Sequence, residues 1–163
     1  MVGLFAQSEI PFGFLLKNQK ANLKSLNIRD LYLCRWYEKF LNDMPHIDST
    51  KFGEIVIDGK KYGQILIIGG AVFERDEKKL RKLFGTTHQI GNWEIEALLQ
   101  ESPEIVIIGT GQEGVLKVEN DFFEQMKKAE VEVITALTPK AIDIYNKKAE
   151  EGKRINSLIH TTC

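Results

Sequence analysis

The sequence predicts an α/β fold with a β-hairpin near its start and a partly parallel sheet in its second half. Residues 105–108 are four consecutive β-formers that lie between a proline-glutamate pair and a glycine, which is typical of a strand buried on both faces. From there onward strand-like and helix-like segments alternate in the order β-α-β-α-β. Their connections are long enough for crossovers, so we expect parallel pairing and right-handed connections.

The first regular elements after residue 44 form a hairpin. An Asp58-Gly59 pair, which suits a primed turn, separates two strands predicted at residues 53–57 and 61–68. A glycine pair at 69–70 ends the second strand, and residues 71–74 form a third short strand.

Helices and strands then alternate with recognisable start signals. Residues 75–84 have a weak helical pattern, and Asn92 is predicted to cap a helix that continues to Gln100. Thr138 is predicted as the N-cap of a helix with proline in its first turn. The remaining elements are a helix that Asn120 or Asp121 is predicted to cap and that continues to Ala129, strands at 131–135 and 155–160, and an end to the Thr138 helix at Gly152.

Residues 1–43 differ in character from the rest and are predicted to be an N-terminal extension. Residues 27–41 have the spacing of an amphipathic helix with an aromatic packing face. Two interpretations stay open: Met44 is the functional start, or residues 1–43 are an appended arm. Residues 44–163 are predicted to form one domain.

Composition excludes several classes of function. The 163 residues are 43% hydrophobic and 28% charged, with 22 basic and 23 acidic residues and a net charge of −1. This balance gives no electrostatic reason to expect a nucleic-acid partner. No apolar run reaches the roughly 18 residues of a membrane span, and the apolar N-terminus lacks the basic region of a signal peptide. Two cysteines far apart argue against a disulfide framework and favour the cytoplasm.

The glycine loop, residues 109–114, is the predicted ligand site. Gly109, Thr110 and Gly111 follow the carboxyl end of the buried strand, where open α/β sheets bind ligands. The three glycines match the dinucleotide fingerprint, but residues 115–118 separate them from the next helix and no carboxylate ends the next strand. The loop is therefore either a tight structural turn or a site for a small anion. No cofactor is predicted.

His88 is the candidate catalytic residue, because a loop histidine can exchange protons near neutral pH. A purely structural role, in which it caps or bonds backbone, is the alternative. Arg154, at the start of the last strand, is a candidate anion ligand or a surface salt-bridge partner. His160 and Cys163 are too few for a metal site, and no third group is evident that would make them a nucleophilic pair, so no metal is predicted.

Several motifs together resemble a known family over residues 46–163. They are Phe52-Gly53-x-Ile55-x-Ile57-x-Gly59, Tyr62, Gly85-x-x-His88, Pro103-Glu104-x-x-x-Ile108-Gly109-x-Gly111, Thr138 with Ala141, Tyr145-Asn146, Gly152-x-Arg154 and His160-x-x-Cys163. This pattern resembles the Mth-type domain shared by the adipogenesis-associated protein of animals and mitochondrial complex I assembly factor three. The resemblance implies a three-layer α/β domain with a mixed central sheet and no established reaction. Relatives often carry an aromatic-arginine pair where this chain has Arg81-Lys82, so a pocket shaped by that pair would differ here.

Two functions follow from these patterns. The leading prediction is a non-enzymatic binding or assembly-factor module with a protein partner. The alternative is a small enzyme or ligand-binding protein that holds an anionic metabolite or nucleotide phosphate at the glycine loop. In that case His88 would supply acid–base chemistry and Arg154 positive charge. Convergence of these residues on one pocket would distinguish the two.

Overall fold

The computed structural model describes residues 44–163, so the helix predicted at residues 27–41 lies outside it. In the second half of the chain, strands and helices alternate as the sequence predicts. In chain order the elements are β1 (Ile47–Lys51), β2 (Glu54–Ile57), β3 (Lys60–Tyr62), β4 (Ile65–Ile68), β5 (Ala71–Glu74), α1 (Glu77–Phe84), α2 (Asn92–Leu98), β6 (Ile105–Thr110), α3 (Asn120–Lys128), β7 (Glu132–Ala136), α4 (Thr138–Glu150) and β8 (Ile155–His160).

The central sheet is mixed and has five strands in the order β5-β4-β8-β6-β7. β6 pairs in parallel with both β7 and β8, whereas β4 is antiparallel to β8 and to β5. The predicted parallel β-α-β-α-β half is therefore confirmed, as is the mixed α/β fold class. The carboxyl ends of β6, β7 and β8 share one edge of the sheet, and the start of β4 lies at that same edge.

A second, three-stranded antiparallel sheet has the order β1-β2-β3. Its predicted turn is confirmed, because Asp58 and Gly59 have φ angles of 47° and 75°. The sequence pattern did not predict β1, whose middle residues are polar and exposed. The single strand predicted at residues 61–68 is wrong: Gly63 and Gln64 break it into β3 and β4, which belong to different sheets.

Two apolar cores lie on the two faces of the central sheet. Ile105 and Ile107 of β6 face α4 and the three-stranded sheet, while Val106 and Ile108 face α2 and α3. This alternation explains why an uninterrupted apolar run is needed at β6. The result is a three-layer domain with the five-stranded sheet in the middle.

Three predicted helix caps are wrong, because the cap position lies before the predicted residue in each case; for α3 it is Glu119 rather than Asn120 or Asp121. Gly91, not Asn92, occupies the cap position of α2, and its N–H donates to the Glu94 carboxylate at 2.9 Å. α2 ends at Leu98 rather than Gln100. Leu137 occupies the cap position of α4, so Thr138 lies inside the helix and its hydroxyl is available for other contacts.

Within residues 44–163 no helix has both the length and the apolar character that crossing a membrane requires.

Candidate functional site

The glycine loop begins where β6 ends, and each of its glycines lies against another part of the domain. A Cβ at Gly109 would lie 2.9 Å from the Thr138 hydroxyl oxygen. Gly114, with φ +80°, lies beside Leu137. Gly111 has φ +108°, and a Cβ there would overlap the carbonyl oxygen of Cys163. The loop therefore needs glycine at these positions, because other segments of the same protein lie too close to leave room for a side chain.

The segment that covers the loop consists of residues 161–163. The N–H of Gln112 donates to the carbonyl of Thr162 at 3.1 Å, and the N–H of Gly53 donates to the carbonyl of Thr161 at 3.0 Å. The Gln112 side-chain amide reaches the Thr50 hydroxyl at 3.3 Å. The space next to Gly111 is therefore filled by this segment of the same protein.

Thr138 ties the loop to β8. Its hydroxyl accepts the N–H of Gly111 at 3.0 Å and donates to the carbonyl of His160 at 2.5 Å. Its own N–H donates to the carbonyl of Gly111 at 2.9 Å. One side chain thus fixes the ends of two parallel strands, which is why it does not act as a helix cap.

A buried ion pair lies at the same edge of the sheet. Arg75 and Glu94 form a two-pronged contact, with Nε–Oε1 at 2.8 Å and Nη2–Oε2 at 2.9 Å, and their side chains are 0% and 1% exposed. The guanidinium also donates to the carbonyls of Thr87 at 3.1 Å and Gln89 at 2.8 Å. Arg75 therefore holds α2 and the loop before it against the end of β5.

The polar network continues from Arg75 to His160. The Gln64 side-chain oxygen accepts from Arg75 Nη1 at 2.8 Å and from His160 Nδ1 at 2.6 Å. Because that oxygen can only accept, Nδ1 carries the proton and Nε2 accepts from the Thr162 hydroxyl at 3.0 Å. Burial, reinforced by the charge of Arg75 and by His88, lowers the pKa of His160 from 6.5 to about 4. His160 is therefore neutral at physiological pH.

His88 lies beside this network. Its ring packs edge-on against the His160 ring, with centroids 5.1 Å apart. Its carbonyl accepts the N–H of Lys117, just after the glycine loop, at 2.9 Å. The structure therefore brings His88 and the glycine loop to the same edge of the sheet, and the half-buried imidazole has no hydrogen-bond partner among residues 44–163.

Arg154 is not part of this arrangement. Arg154 directly precedes β8, and His160 is the last residue of that strand. Arg154 and His160 are therefore separated by about 20 Å of extended strand. Arg154 lies at the opposite edge and contacts Glu104 at 3.8 Å beside an open cavity of about 430 Å³. It cannot assist a ligand at the glycine loop, so the convergence of His88, Arg154 and the loop that would favour the enzyme alternative does not occur.

Sequence reasoning missed the centre of the network, which consists of Gln64, Arg75 and Glu94. Only Glu94 carried a usable signal. It lies one helical turn before the buried Leu98, on the face of α2 that packs inward, and a carboxylate there requires a cationic partner. Arg75 and Gln64 border strands whose patterns give no sign that these side chains turn inward.

Two asparagine side chains elsewhere also join elements together. The Asn146 side chain exchanges hydrogen bonds with the backbone of Ile47 at 3.1 and 2.8 Å, which fastens α4 to β1. The Asn156 side chain bonds the carbonyls of Leu98 and Gln100 at 2.9 and 2.8 Å. Across the described residues no cluster of three or more His, Cys, Asp or Glu side chains is arranged to hold a metal ion.

These features define a class: a small three-layer α/β domain whose sheet edge is closed by its own polar network. The chain belongs to the family described as protein of unknown function (DUF498/DUF598), whose model matches residues 47–160. This agrees with the resemblance to an Mth-type domain, although no relationship to the animal protein or to the complex I assembly factor is shown.

Solved structures share the fold. The chain is similar to the conserved hypothetical protein PH1505 from Pyrococcus horikoshii, with 30% identity over 72% of this chain and 98% of that one and a TM-score of 0.64. It is also similar to the protein MT938, with 31% identity, coverage of 73% and 99%, and a TM-score of 0.58. An outer membrane protein from Bartonella henselae shares the fold alone, at 18% identity, coverage of 74% and 97%, and a TM-score of 0.61.

Proposed function

We propose that this chain is a protein-binding module without catalytic activity. The observation that carries the proposal is the closure of the sheet edge where an α/β enzyme would bind its substrate. Residues 161–163 cover Gly111, and the backbone N–H of Gln112 already bonds the carbonyl of Thr162. The loop amide that an anion would use therefore has an internal partner.

The hydrogen bonds of the buried polar side chains support the same proposal. Arg75, Glu94, Gln64 and His160 form one connected set in which each group bonds another. Buried polar networks of this kind stiffen a domain and fix its conformation. A catalytic group, in contrast, needs an accessible atom within hydrogen-bond reach of its substrate.

The resemblance to an assembly factor extends the proposal to the type of partner. An assembly factor holds another polypeptide, so we expect a stable protein complex rather than turnover of a metabolite. The near-balanced charge and the widely separated cysteines favour a cytoplasmic location and argue against nucleic acid as the partner.

A second candidate function has one specific observation in its favour. The His88 imidazole has no hydrogen-bond partner among residues 44–163, and the carbonyl of His88 accepts the N–H of Lys117, three residues after the glycine loop, so an anionic metabolite or nucleotide phosphate at the loop is the ligand that this arrangement would suit. Such binding requires residues 161–163 to leave Gly111. Thr110 would also have to release its hydroxyl from the carbonyl of Ala136, to which it donates at 3.0 Å.

Two measurements on the full chain decide between these functions. Native purification followed by gel filtration should give a complex with another polypeptide at fixed stoichiometry. A thermal-shift screen with nucleotides, phosphate and carboxylate metabolites should give no shift, although a ligand at one hundred times its Kd would add about 2.7 kcal/mol of stability.

The His88→Gln and His46→Gln variants are the matched pair for this screen, because His46 is exposed and distant from the loop. A metabolite that stabilises the wild type and His46→Gln but not His88→Gln would contradict the binding-module proposal and establish the second candidate.

A further inference from the structure

One surface of the domain combines exposed apolar side chains with clustered positive charge. We name it the α1–α2 patch and define it by five residues: Lys79, Arg81, Leu83 and Phe84 of α1, and Trp93 of α2. It is separate from the glycine loop and the buried network, and it takes no part in closing the sheet edge.

The apolar part of the patch is fixed in position. Leu80 is fully buried and anchors α1, while Leu83 and Phe84, three and four residues further on, are 57% and 41% exposed on the same helix face. Phe84 stacks on Trp93 with ring centroids 6.3 Å apart and an interplanar angle of 13°. A stack between two helices presents a preorganised surface, which lowers the entropy lost when a partner binds.

Positive charge flanks this apolar stripe on both sides. Lys79 is one turn before Leu83, and its Nζ lies 3.8 Å from the centroid of the Trp93 ring. Arg81 is one turn before Phe84, and its guanidinium contacts Glu77 at 3.2 Å on the exposed surface. An exposed pair of this kind is weak and can exchange for a partner's carboxylate.

The charge of α1 is opposite to that of the chain as a whole. The helix carries four basic residues and one acidic residue, a net charge of +3, whereas the whole chain has −1, so the remainder carries −4 (−1 minus +3). Local positive charge on an acidic background attracts negatively charged partners to this surface and repels them from the rest.

We propose that the α1–α2 patch is the docking surface for an acidic segment of a partner protein that carries at least one aromatic or aliphatic anchor. The partner's carboxylates meet Lys79 and Arg81, and its apolar side chain packs on Leu83 and the Phe84–Trp93 stack. Aromatic and arginine side chains at the centre of an interface are those that carry most binding energy. This inference rests on the proposed protein-binding function and names the chemistry of the partner.

An anionic membrane is the less favoured occupant. Leu83 and Phe84 are the only exposed apolar residues of α1, and stable membrane attachment generally needs a larger apolar face.

The experiment selects a displayed random-peptide library against the full chain and measures the affinity of the enriched peptides. We expect acidic peptides with an aromatic or aliphatic residue, whose binding weakens as salt is raised. The double variant Lys79→Glu/Leu83→Ser should bind them at least about tenfold more weakly.

The matched control is Lys128→Glu/Phe123→Ser on α3, which changes the same charge and replaces an apolar residue that is 39% exposed. It should bind like the wild type. Both variants change exposed side chains, so their melting temperatures should stay close to that of the wild type, which separates loss of binding from loss of folding.

Other results overturn the inference in distinguishable ways. Peptides that bind both double variants equally would place the partner elsewhere while leaving the protein-binding function intact. A second result is that no acidic peptides are enriched, while the protein sediments with phosphatidylserine vesicles and this sedimentation depends on Leu83. That result would show that the patch binds membranes rather than a partner protein. Failure of both assays, with a metabolite found in the thermal-shift screen, would refute the protein-binding function itself.

Discussion

Replacing Arg75 with methionine should cost this domain much of its stability. Methionine retains most of the apolar volume of the arginine stem but removes the guanidinium. Among residues 44–163, the Glu94 carboxylate, which is 1% exposed, would then keep one hydrogen bond, which it accepts from the N–H of Gly91. Removing one partner of a buried ion pair typically costs about 3–5 kcal/mol, because the remaining charge is uncompensated.

The structure supports a value in the upper part of that range. Besides Glu94, the guanidinium serves the carbonyls of Thr87 and Gln89 and the side chain of Gln64. A hydrogen bond contributes roughly 0.5–1.5 kcal/mol net, and the loss of these three bonds belongs within the total of about 3–5 kcal/mol, where it places Arg75→Met toward the upper end. We therefore expect Arg75→Met to lower the free energy of unfolding by about 4–5 kcal/mol.

The assay is denaturant unfolding of the full chain at pH 7, followed by circular dichroism, with Arg81→Met as the control. Arg81 also pairs with a glutamate, but its side chain is 63% exposed, so that substitution should cost less than about 0.5 kcal/mol.

The double variant Arg75→Met/Glu94→Leu removes both charges and should recover more than half of the loss. If Arg75→Met costs no more than Arg81→Met, or if the double variant is as unstable as the sum of the two single variants, the reasoning about an uncompensated buried charge is refuted.

Four further predictions follow from other sites. His160 takes up a proton near pH 6.5 when unfolded but only near pH 4 when folded, so the unfolded state binds more protons between these values. Wild type should therefore lose about 3 kcal/mol more than His160→Gln as the pH falls from about 6.5 to 4; parallel unfolding curves would contradict this. Gly111→Ala should lower stability by more than about 3 kcal/mol, because it adds a backbone overlap to the strain of positive φ, whereas Gly59→Ala, at φ +75° with open space around it, should cost about 1 kcal/mol. Equal unfolding midpoints for these two variants would show that the covering segment is easily displaced. The Tyr145 hydroxyl is buried without a partner among the described residues, and burial raises its pKa, so Tyr145→Phe should raise the free energy of unfolding by about 1 kcal/mol in thermal melts; a decrease would mean that the hydroxyl is bonded in solution. Residues 44–163 should unfold in one cooperative transition without residues 1–43, since both cores lie inside that range; a fragment without a transition by circular dichroism would refute the domain boundary.

Local signals predicted most of the fold. The apolar run at residues 105–108 and the Asp58-Gly59 turn depend on nearest neighbours in sequence, and both are found where expected. The break at Gln64 was missed because β3 and β4 continue one strand-like pattern, and only their membership of different sheets separates them. This error arose because tertiary packing, not local strand propensity, decides which sheet each segment joins.

The sequence pattern located the glycine loop but did not show which residues lie against it. Glycine spacing located the loop, yet what approaches Gly111 is a segment about fifty residues later, which no local pattern reveals. In the same way, the pairing of Arg75 with Glu94 joins the end of a strand to a distant helix. His88 was proposed because histidines in loops are conspicuous, and its role stays a prediction. Arg154 was grouped with the loop because the sequence pattern did not distinguish the two ends of the last strand.

The central position of β8 has a consequence for how the chain is made. Among the described strands, β8 alone links the β4–β5 hairpin to the β6–β7 pair, and it is the last of them to leave the ribosome. Until it arrives, β4 and β6 each present an open apolar edge, and such edges pair readily with other chains. Ribosomal pausing shortly before residue 155 would therefore prolong exposure to aggregation. The extent to which the nascent protein needs chaperones should depend on how quickly β8 is synthesised, not on the stability of the folded domain.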